Sequence, residues 1–256
     1  CIRDSYEVGR SLFEKLQADA KCTASISAMQ SVLPSYTKFG MAALLPHNTI
    51  EVLPDSRALA DGKPTDDIKQ REAVLQAANP DSRCVKYDDI KSMNVSALRD
   101  VFTGQNVVYV YHDQIDARGD HASTENEVFN ACEEAVEEIY FLVRKLTSSA
   151  NTIHYIITAD HGFIYKRDKL SESDKISGIP DADRRYALTD RDVQGEGVAS
   201  LPFSSIIGAD DSRRVYFPMG SDLFKKQGSG LNYTHGGSSP QEMIIPLIDV
   251  RTEKGR

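Results

Sequence analysis

Val8, Leu12, Phe13 and Leu16 recur at helical spacing in SYEVGRSLFEKLQA, which predicts an amphipathic helix over residues 5–18. TASISAM follows and reads as a short strand. In LPSYTKFGMAALLPH, Pro34-Ser35 marks a turn and helix entry, and a short apolar helix follows before Pro46. Residues 64–79 have a helical pattern, and RCVKYDDI predicts a strand leading into an Asp-capped helix to about Asp100. QNVVYVYHDQID is β-branched and aromatic, then turns polar, as a buried strand does at its end. Residues 123–147 form a long amphipathic pattern with acids near its start, where they suit a helix N-terminus. TIHYIITADHG predicts the next buried strand, and RRYALT, RVYFPM and MIIPLIDV are further strand candidates. GSGLNYTHGGSSPQE is a glycine- and serine-rich loop, whereas residues 166–200 are charged, lack a clear period and read as an insertion or lid.

Apolar strands without strict alternation, separated by helices, predict an α/β fold with a mainly parallel central sheet and helices on both faces. Residues 1–256 read as one domain. Functional groups in such folds gather beyond the carboxyl ends of the strands, and two of the apolar strands here end in acidic and histidine clusters.

Charge and cysteine usage narrow the options. A formal net charge of −8 disfavours broad nucleic-acid binding, but leaves room for a local site where a cation supplies the positive charge. Cysteines at 1, 22, 84 and 132 form no Cys-x-x-Cys, which suits a reducing, cytoplasmic setting better than secretion. The apolar runs are too short to cross a bilayer, so no membrane association is expected. The helical pattern begins abruptly at Cys1-Ile2-Arg3, as in a fragment of a longer protein.

Three clusters carry candidate chemistry: His112, Asp113, Asp116, Asp120 and His121; Asp160-His161; and Tyr233-Thr234-His235-Gly236-Gly237. Mixed carboxylates and imidazoles suit zinc or manganese. Each cluster also has a plainer reading. Asp113 and Asp116 could cap a helix, Asp160-His161-Gly162 could form a tight turn, and His235 could lie in a surface loop. His47 reads as a cap at a helix end, His154 as a core residue, and Lys38 and Arg118 as solvated cations. The side chain of His112 should alternate with that of Asp113.

TADHGF resembles the Asp-His-Gly motif of the alkaline phosphatase superfamily, DARGD its Asp-x-x-Gly-His, and THGG its late histidine ligand. PSYTKFGMAALLPH is similar to the nucleophile segment of its phosphodiesterase branch. Together with HGGSSPQEMIIPL, these motifs resemble the PglZ family of bacterial and archaeal BREX phage-defence systems over nearly the whole chain. That resemblance implies an alkaline phosphatase-like fold and two divalent ions, zinc foremost with manganese as the alternative. Thr37 matches the nucleophile, Asp160 and His161 the ligands of the adjacent ion, and Asp116 and His235 ligands of the second. Asp120 stands where the superfamily has histidine, and His121 is its neighbour. The family's first strand, which carries a further aspartate ligand, has no counterpart before Cys1, and Asp4 is the only nearby candidate. The implied activity is phosphodiester or phosphomonoester hydrolysis through a phosphothreonine intermediate. A non-catalytic scaffold and a metal-dependent nuclease are the rival readings. The resemblance also implies other BREX proteins as partners, including a methyltransferase. Thr37 itself could be a plain N-cap.

Overall fold

The computed structural model describes residues 5–121, 123–166, 175–226 and 232–253. Helix α1 (Ser5–Gln17) leads into β1 (Cys22–Gln30) and the short α2 (Thr37–Ala43). A small antiparallel sheet follows, formed by β2 (Ile50–Val52), β3 (Ala58–Ala60) and β4 (Lys63–Pro64). Helix α3 (Ile68–Ala78) starts four residues later than the sequence pattern suggests, because Asp67 and Gln70 form a capping box there. Next come β5 (Ser82–Lys86), α4 (Tyr87–Ile90) and α5 (Val95–Phe102), the last begun by the Asn94 side chain accepting from the Ala97 amide. Strand β6 (Val107–Tyr111) runs parallel to β5 and is followed directly by α6 (Gln114–Gly119).

The long helix α7 (Val128–Ala150) is preceded by a single 3-10 turn and ends at Asn151, whose left-handed backbone (φ 55°) terminates it. It is followed by β7 (His154–Thr158) and β8 (Ile164–Tyr165). The later part of the chain contributes β9 (Lys175–Ile176), β10 (Ala187–Thr189), β11 (Val198–Pro202), α8 (Ser204–Ile207), β12 (Arg214–Pro218), β13 (Leu223–Phe224) and β14 (Tyr233–Thr234). Helix α9 (Pro240–Met243) passes directly into the closing strand β15 (Ile244–Thr252).

β15 lies between β1 and β7 and is antiparallel to both, so β1 and β7 run the same way. Their carboxyl ends therefore share one edge with the amino end of β15. Helix α7 packs across the strands: Val143 joins Leu12, Leu16, Ile248 and Val250, whereas Leu146 joins Ile90 and Leu98. Each such buried aliphatic side chain contributes roughly 1.5–3 kcal/mol by leaving water. A third cluster, built on Phe39, Phe203, Val215 and Phe217, binds α2 to the β10–β12–β11 sheet.

Two expectations about burial change. Ile156 on β7 is 55% exposed and Val107 on β6 also reaches solvent, although their runs read as buried strands. Tyr155 and Ile157 of β7 pack against the core, while Ile156 between them alternates to the other face of the strand; Val107 is the first residue of β6. His154, expected in the core, is exposed and meets Asp249 at 3.1 Å. Within the segment read as an insertion or lid, residues 167–174 lie outside the described residues, whereas β10 and β11 flank β12 in a sheet.

Candidate metal centre

Thr37 occupies the first turn of α2, but its hydroxyl does not cap the helix. The N-cap is Tyr36, in extended conformation, with its ring stacked on Tyr186 at 5.2 Å. Thr37 Oγ1 instead lies 3.0 Å from His161 Nε2. The approach depends on Gly40: a Cβ there would sit 2.7 Å from the Asp160 carbonyl oxygen and 2.9 Å from its Cβ. A side chain at 40 would thus push α2 away from the end of β7. Gly162 plays the same part behind His161, where a Cβ would fall 2.0 Å from the Gln241 carbonyl.

His161 is buried, and its Nδ1 lies 3.0 Å from the Gly162 carbonyl oxygen. A carbonyl can only accept, so Nδ1 carries a proton and donates it, and Nε2 faces the site. Around that nitrogen stand Asp160 Oδ2 at 3.4 Å and Asp116 Oδ2 at 3.5 Å. One ligand atom from each of Asp116, Asp160 and His161 lies within 4.8 Å of the others.

Asp160 arrives directly after β7, and its carbonyl accepts from the Ser31 hydroxyl at the end of β1. Asp116 arrives on α6, and its Oδ1 accepts from the buried Tyr233 hydroxyl. The two carboxyls are held differently. Burial pushes Asp160 up by more than His161 draws it back, and the Asp116 charge adds to the rise. Burial would also raise Asp116, but His161, His235 and the Tyr233 hydrogen bond together hold it below the usual range. Burial and the Asp116 carboxylate push Tyr233 well above the ordinary phenol range, so it stays a neutral donor.

The His235 ring stacks on His161 with centroids 4.1 Å apart and an 8° interplanar angle. Its Nδ1 lies 3.3 Å from the Ser35 carbonyl, and its Nε2 lies 3.7 Å from Asp120 Oδ1. Burial would lower its pKa, but the neighbouring Asp120 carboxylate, the Asp116 charge and the Ser35 carbonyl raise it to about 9.

The donor set fits a divalent cation. Asp160 Oδ2 is buried without a hydrogen-bond partner, an arrangement that costs free energy unless a cation or proton satisfies it. Two carboxylates and an imidazole nitrogen around one point match zinc or manganese chemistry.

The remaining candidates are placed as follows. Asp120 is the C-cap of α6, with its side chain 47% exposed, and its closest ionic neighbour is His235. His121 is exposed in the turn after α6, and Asp4 lies outside the described residues. Asp113 is exposed and caps nothing with its side chain. His112 meets Glu138 at 2.7 Å and packs on Tyr87, away from the cluster. His47 lies 2.7 Å from the Leu45 carbonyl, Arg118 pairs with Glu134, and Lys38 is exposed. Arg185 and Glu242 were not among the sequence candidates. The Ser-x-x-Glu spacing of Ser239 and Glu242 was the available signal, and it forms a capping box on α9.

Comparison with known proteins adds to this geometry. A family model described as the BREX system PglZ alkaline phosphatase-like domain matches residues 4–250. The chain is 37% identical over 255 residues to the alkaline phosphatase-like protein PglZ of Bacillus cereus (strain H3081.97), covering 98% of this chain and 30% of that protein. It is 32% identical over 254 residues to the alkaline phosphatase-like protein BrxZ of Escherichia coli O9:H4 (strain HS), covering 96% of this chain and 29% of that protein. The chain therefore spans under a third of the length of these curated relatives. Among solved structures, murine ectonucleotide pyrophosphatase/phosphodiesterase 5 superposes with a TM-score of 0.51 at 12% identity, covering 86% of this chain and 78% of that one. The human counterpart gives a TM-score of 0.50 at 12% identity, covering 85% and 77%. These likenesses show the fold: α/β, of the alkaline phosphatase type.

Proposed function

Since the chain belongs to the BREX-system PglZ alkaline phosphatase-like family, we propose that it is a metal-dependent phosphohydrolase, a phosphodiesterase or phosphatase, with Thr37 as its nucleophile. The observation that carries this reading is the Thr37 hydroxyl, 3.0 Å from a histidine nitrogen around which two carboxylates converge. A threonine that served only as a cap would direct its oxygen to backbone amides of its own helix.

Asp116, which the resemblance assigns with His235 to the second ion, lies instead within ligand range of Asp160 and His161; these three would hold one divalent ion, and His235 with Asp120 would supply donors for a second, with zinc suiting this mixture best and manganese the alternative. When bound, such ions would supply Lewis-acid charge stabilisation to the attacking and phosphoryl oxygens. Thr37 Oγ1 gives up its proton and attacks phosphorus; its bond to phosphorus forms as the ester bond breaks, and the departing oxygen gains a proton, by way of solvent, to leave as the alcohol. Water then cleaves the phosphothreonine, which restores the hydroxyl and releases the phosphate product. Gly40 keeps the nucleophile within reach, and Tyr233 keeps Asp116 ionised by donating to it.

The test is hydrolysis of an aryl phosphodiester with added zinc or manganese, comparing the parent chain with Thr37→Ala and Asp160→Ala. Full activity in both variants rejects the assignment. A scaffold reading draws on Asp120, an exposed acid where the superfamily has histidine, and predicts that the protein purifies without stoichiometric metal. The working setting we propose is a cytoplasmic BREX assembly that includes a methyltransferase. Free thiols at Cys22, Cys84 and Cys132 agree with a reducing compartment. None of the helices in the described residues is long and apolar enough to cross a membrane.

A further inference from the structure

Glu242 and Arg185 are both completely buried, yet neither touches the acid–histidine cluster. A buried ion pair is costly to form unless every remaining hydrogen-bonding position is filled, and here nearly all are. Glu242 Oε1 accepts from Arg185 Nε at 2.9 Å and from the Gly237 amide at 2.9 Å. Oε2 accepts from Arg185 Nη2 at 2.7 Å and from the Ser239 hydroxyl at 2.7 Å. Arg185 also donates to the carbonyls of Gly220 and Asp222.

The consequence lies in what these bonds hold. Gly237 is two residues beyond His235, so the Glu242 side chain ties down the loop that carries that histidine. The Glu242 main-chain carbonyl accepts from the Gly162 amide at 2.9 Å, next to His161. One residue thus anchors the backbone beside both stacked imidazoles, through its side chain on one side and its carbonyl on the other. Arg185 locks the carboxylate from the opposite face. It comes from the segment whose sequence reads as an insertion or lid.

We infer that Glu242, clamped by Arg185, is a positioning residue that sets the spacing of His161 and His235. This rests on the metal-centre reading above only for its consequence in metal binding; the spacing itself is a property of the metal-free protein. Support shells of this kind are typically worth about 10- to 100-fold in metal affinity.

The experiment replaces the pair with apolar residues, Arg185→Met with Glu242→Leu, alongside the single Glu242→Gln. Three readouts are taken: melting temperature without metal, zinc affinity by chelator competition, and NMR shifts of the His161 and His235 ring protons without metal. A merely structural pair, replaced by packed apolar groups, should recover all three together. With the single Glu242→Leu measured beside them as the reference, the positioning role predicts that the double variant regains most of the melting temperature lost in Glu242→Leu alone. Its zinc affinity should stay at least about tenfold weaker, and its ring-current shifts should move, because the Gly237 amide has lost its acceptor. Parent-like zinc affinity and ring shifts in the double variant would overturn the proposal. If the double variant does not fold, Glu242→Gln decides by the same two readouts: altered values support the role and parent-like values sink it. If the parent chain binds no zinc, the metal reading fails on its own, and the ring shifts alone decide the positioning role.

Discussion

Thr37 Oγ1 and His161 Nε2 lie 3.0 Å apart, although 124 residues separate them in the chain. The contact forms because two close approaches coincide. Gly40 lets α2 rest against the Asp160 backbone, and the Gly162 carbonyl occupies Nδ1 so that Nε2 faces the hydroxyl. The hydroxyl is thus oriented toward the acids rather than toward its own helix.

Removing that hydroxyl should separate chemistry from stability. Thr37→Ala is expected to reduce aryl phosphodiester hydrolysis by at least about 1,000-fold, in the range seen when a nucleophile is lost. Thr37 is only half-buried, so unfolding free energy should change by about 1 kcal/mol or less. Thr37→Ser, which keeps an oxygen at the same place, should retain much of the rate. Steady-state kinetics and denaturant melts on the three proteins check this.

Asp160 should behave oppositely with and without metal. Its buried, unpartnered Oδ2 and its repulsion with Asp116 penalise the metal-free fold. Asp160→Asn is therefore expected to stabilise the metal-free protein by on the order of 1 kcal/mol. Zinc at about 100 times its dissociation constant should add roughly 2.7 kcal/mol to the parent and little to the variant. Calorimetric scans with zinc and with chelator measure both effects.

His235 gives the metal-free protein a pH signature. Its folded pKa, about 9, lies above the ordinary 6.5, so the protonated ring favours the fold. That stability is fully present below pH 6.5 and is lost as pH rises through about 9. The full effect is on the order of 3 kcal/mol at about 1.36 kcal/mol per unit. His235→Gln should flatten the decline between pH 6.5 and 9 in urea titrations with chelator present. Zinc should release a proton on binding in the same range, because a ligating imidazole must be neutral.

Gly40→Ala probes the approach of α2 to β7. The added methyl would sit 2.7 Å from the Asp160 carbonyl oxygen, so one of the two backbones has to move. A cost of about 1–3 kcal/mol is expected, together with a loss of hydrolysis larger than any fall in zinc affinity. Parallel measurement of melting, zinc binding and turnover distinguishes displacement of Thr37 from collapse of the metal centre.

The amino-acid sequence by itself determined the first helix, read over residues 5–18 and found at Ser5–Gln17, and the strands ending near Asp113 and Asp160, because periodicity is a local property; the stretch around His235 reads as a loop, whereas Tyr233–Thr234 form β14 against β8. Its motifs also carried the family and the alkaline phosphatase-type fold, which the comparisons show. Only the tertiary structure decided that β15 runs antiparallel between β1 and β7, and that His154 and Ile156 face solvent. It alone brought Asp116 within ligand range of Asp160 and His161, and placed the His235 ring upon that of His161. The Arg185–Glu242 clamp was equally invisible in the sequence, since a charged residue reads as solvated wherever its partner is distant in the chain. Hydrophobic spacing records which residues leave water. Which polar atoms meet depends on long-range packing, and here on glycines whose missing side chains let segments far apart in sequence come into contact.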